Sequence, residues 1–98
     1  MRITAAERVA IVTAVREVFG PAAQVRLFGS RADDNARGGD IDLYIEAPRE
    51  RAGFHNEIEI EARLQKVLGE RRIDIVVHGR GTALGAIDRI AQEQGVLL

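Results

Sequence analysis

The residues of this chain best placed to do chemistry are Gly29, Ser30, Asp40, Asp42 and Asp74. Asp40 and Asp42 alternate with Ile41, Leu43 and Ile45, and alternation of this kind marks a strand. Residues at i and i+2 of a strand project from one face, so the two carboxylates stand together and repel unless a cation or a proton lies between them. Asp74 sits in a second alternating run; if Ile73 and Ile75 join the core, Asp74 faces the same way as Asp40 and Asp42. Three carboxylates make an all-oxygen set of the kind that Mg²⁺ shares with substrate phosphates. Two such ions can clamp the attacking and leaving oxygens of an in-line displacement at phosphorus. Asp40 and Asp42 would hold the metals, with Asp74 completing a metal shell or taking the nucleophile's proton. Glycine at 29 lets backbone approach a phosphate, and Ser30 offers a hydroxyl and an N–H. Arg31 or Arg37 could balance triphosphate charge. An Asp-x-Asp on a strand is common alone; joined to Gly-Ser upstream and a strand aspartate downstream it is not.

The elements that must position these groups can be read from patterning. Thr4-Ala5-Ala6-Glu7 forms a capping box before an apolar stripe of Ile11, Val15 and Val18, and Gly20-Pro21 ends that first helix. Val25 to Phe28 reads as a short strand, and Ser30 to Gly39 as a polar loop too long for a tight hairpin. Residues 40–46 form a second strand, closed by Pro48. A second helix runs to about Leu68, with Ile60, Leu64, Val67 and Leu68 inward and Glu59/Arg63 paired outside. Arg72 to His78 is a third strand. Thr82 is expected to cap a last helix that uses Leu84, Ile87, Ile90 and Ala91. The order α-β-β-α-β-α predicts an α/β (α+β) fold with a small mixed sheet. Strands two and three are parallel through a right-handed crossover, and one and two antiparallel. Helices should cover the Ile41/Leu43/Ile45 face and leave the aspartate face open.

Composition narrows the class. The chain has 98 residues, a formal charge of −1 and no cysteine. One domain over residues 1–98 is expected. The charge balance argues against direct nucleic-acid binding, and the lack of cysteine excludes disulfides and thiolate sites. The N-terminus lacks the apolar core of a signal peptide and no run is long enough to span a membrane, so a cytoplasmic protein is expected.

On Gly29-Ser30, Asp40-Ile41-Asp42 and Asp74, the chain resembles the polymerase-beta-like nucleotidyltransferase superfamily, and its short length resembles the minimal nucleotidyltransferase (MNT) branch. The resemblance runs from the first helix to Ile87-Asp88-Arg89-Ile90-Ala91. It implies that Gly29 and Ser30 bind nucleotide phosphates, beside which Arg31 is the charge-balancing candidate, and that Asp40, Asp42 and Asp74 are catalytic and bind two Mg²⁺, with ATP as substrate. Nine residues separate Ser30 from Asp40, one fewer than in many relatives, so the resemblance carries no role to Arg37. Many MNT proteins pair with an all-helical HEPN partner as antitoxin and toxin, the MNT protein transferring AMP from ATP to a tyrosine hydroxyl of the toxin. That activity, in a hetero-oligomer with a HEPN toxin, is the expectation here. The alternatives are an antitoxin that neutralises its toxin by binding alone, and a nucleotidyltransferase acting on a small molecule.

Other signals carry less. Gly79-Arg80-Gly81 with Gly85 imitates a dinucleotide fingerprint, but the third glycine is late and too little chain follows; a turn into the last helix is expected. Arg72 and His78 echo the Arg and His pair of HEPN nucleases, yet they lie on a strand. Tyr44 on the aspartate face could stack on a base or simply pack, and Glu57/Glu59/Glu61 reads as a solvated helix face.

Overall fold

The computed structural model describes residues 3–28, 41–69 and 71–98. Helix α1 (Ala5–Phe19) leads into β1 (Gln24–Leu27), then β2 (Ile41–Ala47), a 3₁₀ turn at Arg49–Arg51, α2 (Phe54–Leu68), β3 (Ile73–Gly79), α3 (Ala86–Gln94) and β4 (Val96–Leu97). The expected α/β architecture is present, with one mixed sheet in the order β3-β2-β1-β4. β1 is antiparallel to β2 and β4, and β2 is parallel to β3.

The capping box forms as the sequence predicts. Thr4 Oγ1 accepts from the Glu7 amide at 3.0 Å, and Glu7 Oε1 accepts from the Thr4 amide at 2.8 Å. The other Glu7 oxygen meets Arg71 at 3.1 Å, tying the start of α1 to the approach to β3. Gly20 ends α1 at φ +102°, a conformation that L side chains avoid. On α2, Arg63 pairs with Glu59 at 2.8 Å and also reaches Glu17 of α1 at 2.9 Å.

Both helices pack on one face of the sheet. Ile11, Val15 and Phe19 of α1 and Ile60 and Leu64 of α2 bury against Val25, Leu27, Ile41, Leu43 and Ile45. The outer strands contribute less: Ile73 is buried, whereas Ile75 and Val77 are partly so.

Four expectations need correction. Val67 is 41% exposed, because Leu64 and Leu68 already fill the inward stripe of α2. Thr82 does not cap α3; its hydroxyl donates to the Gly79 carbonyl at 2.7 Å within the turn. The cap is Gly85, whose amide donates to Asp88 Oδ2 at 2.7 Å. Leu84, Ile87 and Ile90 are exposed, and α3 buries Ala91 and Asp88 instead. Lastly, the aspartate face is not bare along its whole length. α3 crosses it and closes a second small core of Phe28, Tyr44 and Ala91. β4 was not expected: it is two residues long, too short to show alternation. Gly95 makes the turn into it possible, since a Cβ there would run into the Ala91 carbonyl.

Burial and the nearby Arg71 act in opposite directions on Glu7, but the Thr4 N–H bond is the largest influence, and its carboxyl lies below the usual 4.5. A depressed folded value stabilises the fold above the ordinary glutamate range and is lost as pH falls through the folded pKa. Thr4→Ala should therefore cost about 1 kcal/mol in urea denaturation at neutral pH, and Glu7→Gln should flatten the acid side of the stability–pH curve. Superimposable curves for wild type and Glu7→Gln would refute this account.

Candidate active site

β2 and β3 run parallel with Asp42 directly opposite Asp74. Directly paired residues of neighbouring strands share a face, so both carboxylates stand on the side away from α1 and α2. Strand spacing puts their backbones roughly 4.8 Å apart. Asp42 is half-buried on an interior strand, while the Asp74 side chain is about half exposed on the edge strand. Arg72 Nε lies 3.8 Å from Asp74 Oδ1 on the same face of β3.

The remaining predicted site residues, Gly29, Ser30, Arg31, Asp40 and also Arg37, lie outside the described residues. The chain on either side of them is fastened at the carboxylate end of the sheet. The Phe28 amide donates to the Asp42 carbonyl at 3.1 Å, and the Ile41 amide donates to the Arg72 carbonyl at 2.9 Å. Among the described residues, no group of three or more His, Asp or Glu gathers closely enough to hold a metal. Asp42 and Asp74 nevertheless fit a hard divalent cation: they are two side-by-side carboxylates offering only oxygen, with open surface at Asp74.

The rest of that face is occupied. Tyr44 is 1% exposed and packs edge-on against Phe28 (centroids 6.4 Å apart) and in parallel against His78 (6.3 Å). It is therefore a packing residue, with no face free for a base. Its hydroxyl accepts from Gln92 Nε2 at 3.2 Å, and Gln92 also approaches Glu46, which meets Arg80 at 3.5 Å. His78 is buried at the far end of β3 from Asp74, about 13 Å along the strand at ~3.3 Å per residue. Its Nε2 lies 3.3 Å from the Thr82 carbonyl and so donates to it, leaving a buried Nδ1 with no hydrogen-bond partner. His78 thus shares the face of the carboxylates without joining them.

Gly79, Arg80 and Gly81 form the turn after β3: Arg80 donates to the Ala22 carbonyl at 2.6 Å, and Gly81 has φ +87°. The polar residues behind the site were not singled out from sequence. Gln92, Asp88 and Arg80 gave no signal there, because each becomes significant only when α3 is laid across the sheet. Arg72 did carry a signal: it stands at i−2 from Asp74 on a strand, a spacing that places both on one face.

The described residues form a parallel β2–α2–β3 unit with two carboxylates register-paired on one face. Residues 17–98 match the family model described as Polymerase beta, Nucleotidyltransferase. The chain belongs to that family. A search of curated proteins finds no match. Among the described residues no helix is long and apolar enough to cross a membrane.

Burial raises the Tyr44 phenol above its usual 10, and the carboxylates of Asp88 and Glu46 push the same way against the opposing Gln92 amide. Tyr44 is the sole tyrosine and there is no tryptophan, so its ionisation can be followed directly by tyrosinate absorbance. Titration should show a phenol that ionises above pH 10 in the folded protein. The stability this gives is complete below the unfolded value and is lost as pH rises through the folded one. Ionisation at the unfolded value would show that α3 does not close over the sheet.

Proposed function

We propose that this protein is a Mg²⁺-dependent nucleotidyltransferase that moves AMP from ATP to a hydroxyl of a protein acceptor, in the manner of an MNT antitoxin modifying a tyrosine of a HEPN toxin. The observation that carries the transfer chemistry is the direct pairing of Asp42 with Asp74 in a chain of the nucleotidyltransferase family. Mg²⁺, when bound, supplies neutralisation of phosphate charge and a lowered pKa for the attacking hydroxyl.

The chain's own residues supply the rest. Asp42, with Asp40 two residues before it, would hold the cations; Asp74 would complete the set or receive the acceptor's proton. The acceptor oxygen attacks the α-phosphorus, the bond from that phosphorus to the β-phosphate oxygen breaks, and pyrophosphate leaves. Gly29 and Ser30 would cradle the phosphates, with Arg31 adding charge beside them. Arg72 stands 3.8 Å from Asp74 and is mostly exposed, so it can hold that carboxylate in place and exchange it for phosphate charge.

Support for an acceptor in trans comes from the surface. Leu84, Ile87 and Ile90 on and just before α3 are each more than 40% exposed, an aliphatic stripe suited to a protein partner. The same stripe also serves the second reading, an antitoxin that acts by binding alone.

The two readings separate on one pair of variants. With labelled ATP, Mg²⁺ and co-purifying partner, Asp42→Asn and Asp74→Asn should each lower transfer at least about hundredfold, the scale of losing a positioned acid–base or charge-stabilising group. Chelation should abolish transfer in the wild type. Variants that bind the partner, protect cells and match the wild-type rate would refute catalysis by these carboxylates. Protection without any transfer by the wild type would establish the binding reading.

A further inference from the structure

β3 is the outer strand of the sheet, bonded to β2 on one side only among the described residues. The Arg72 carbonyl accepts from Ile41 and the Arg80 amide donates to Ala47, each at 2.9 Å. In a parallel ladder the residues whose N–H and C=O face the neighbour alternate, so even-numbered residues of β3 turn inward to β2. The backbone groups of Ile73, Ile75 and Val77 then face out. Toward Gly79 the 3₁₀ turn closes in, a Cβ there lying 3.2 Å from Ala52 Cβ and 3.3 Å from Arg49 Cα. The open edge is accordingly the Ile73–Ile75 end, beside Asp74.

A groove of about 240 Å³ lies along that end, lined by Ile73, Asp74 and Ile75 of the strand and by Glu57 and Glu61 of α2. Neither glutamate makes an ion pair or side-chain hydrogen bond among the described residues. Phe54 and Ile58 share their helix face and are 75% and 53% exposed. Glu57 and Glu61 thus stand on the α2 side of this edge, and Asp74 with Arg72 on the other, around a largely polar groove floored by a strand edge that has no partner among the described residues.

We infer that this groove is the acceptor site: an extended, basic polypeptide segment adds as a further strand to the outer edge of β3, its cationic side chains on Glu57 and Glu61 and its hydroxyl residue delivered beside Asp74. The inference rests on the transferase reading for the role of the bound segment, but not for its binding. A free strand edge recognises main chain, which selects a polypeptide over a small polycation. The carboxylates select positive charge and disfavour a second copy of this chain, whose own β3 edge would bring like charges together. In the transfer step the segment's hydroxyl oxygen bonds to the α-phosphorus of the nucleotide, pyrophosphate leaves, and the hydroxyl proton passes to Asp74.

The test uses the full chain and two short synthetic peptides, one alternating lysine and valine around a central tyrosine, the other with glutamate for each lysine. Binding is read by calorimetry and by amide hydrogen exchange. The lysine peptide should bind roughly tenfold tighter, the yield of two exposed ion pairs, and should protect the Ile73 and Ile75 amides. Glu57→Gln/Glu61→Gln should erase the difference between the peptides. Equal affinity for both peptides, or tight lysine-peptide binding without protection of those two amides, overturns the proposal. MgATP binding by the wild type is measured alongside. Its absence would remove the transferase reading while leaving the peptide result to stand or fall alone.

Discussion

The site depends on the register between β2 and β3. Side chains of a strand alternate with a period of two, so a slip of one residue would turn Asp74 into the core and Ile73 and Ile75 out to solvent. What opposes the slip is burial. Ile41, Leu43 and Ile45 are 2% exposed or less and Ile73 8%, and each fully buried aliphatic side chain contributes about 1.5–3 kcal/mol. What favours it is repulsion between two carboxylates on adjacent strands, about 3 kcal/mol at ~5 Å with an effective dielectric near 20. Solvent at Asp74 and the nearby Arg72 reduce that further. The hydrophobic term wins, and the core forces together two charges that would otherwise move apart. The juxtaposed carboxylates are in this sense a by-product of how the apolar face packs.

The same face shows a second division. Near Asp42 and Asp74 it stays polar and accessible, whereas from Tyr44 onward α3 lies across it. Burying the Tyr44 hydroxyl, Glu46 and Asp88 there is tolerable because the groups partner one another. Gln92 donates to Tyr44, Arg80 meets Glu46, and Asp88 accepts the free amide at the start of α3. An unpaired buried polar group would cost about 1–3 kcal/mol; among the described residues His78 Nδ1 is the buried side-chain atom left without a partner. α3 thereby confines the accessible carboxylates to one end of the sheet.

How much of this could be read in the chain follows from which patterns are local. The capping box at Thr4, the alternation through Ile41–Ile45, the Glu59/Arg63 pair and the parallel β2–β3 unit all rest on spacing within one element or on a chirality rule. Each is present. α3 starts later than Thr82, a good capping residue by type, because Gly85 caps it through Asp88 three residues on. The inward face of α3 also differs from its hydrophobic pattern. Ile87 and Ile90 have the hydrophobicity of core residues, but the helix meets a sheet face already filled by Tyr44 and Phe28, and only the small Ala91 fits closely against it. Of the site, the shared face of Asp42 and Asp74 is legible from alternation; their direct pairing and the groove beside Asp74 are not, since they need the strand register and order.

Strand order also gives the site a direction. Asp42 lies on an interior strand and Asp74 on the edge, so only Asp74 can face a group that arrives along the open side of β3. The β1 side is closed by β4, a strand just long enough to pair with Arg26 and Leu27. Among the described residues β3 is bonded on one side only, and the carboxylate pair spans that strand and its neighbour, so a group approaching along β3 meets Asp74 before Asp42.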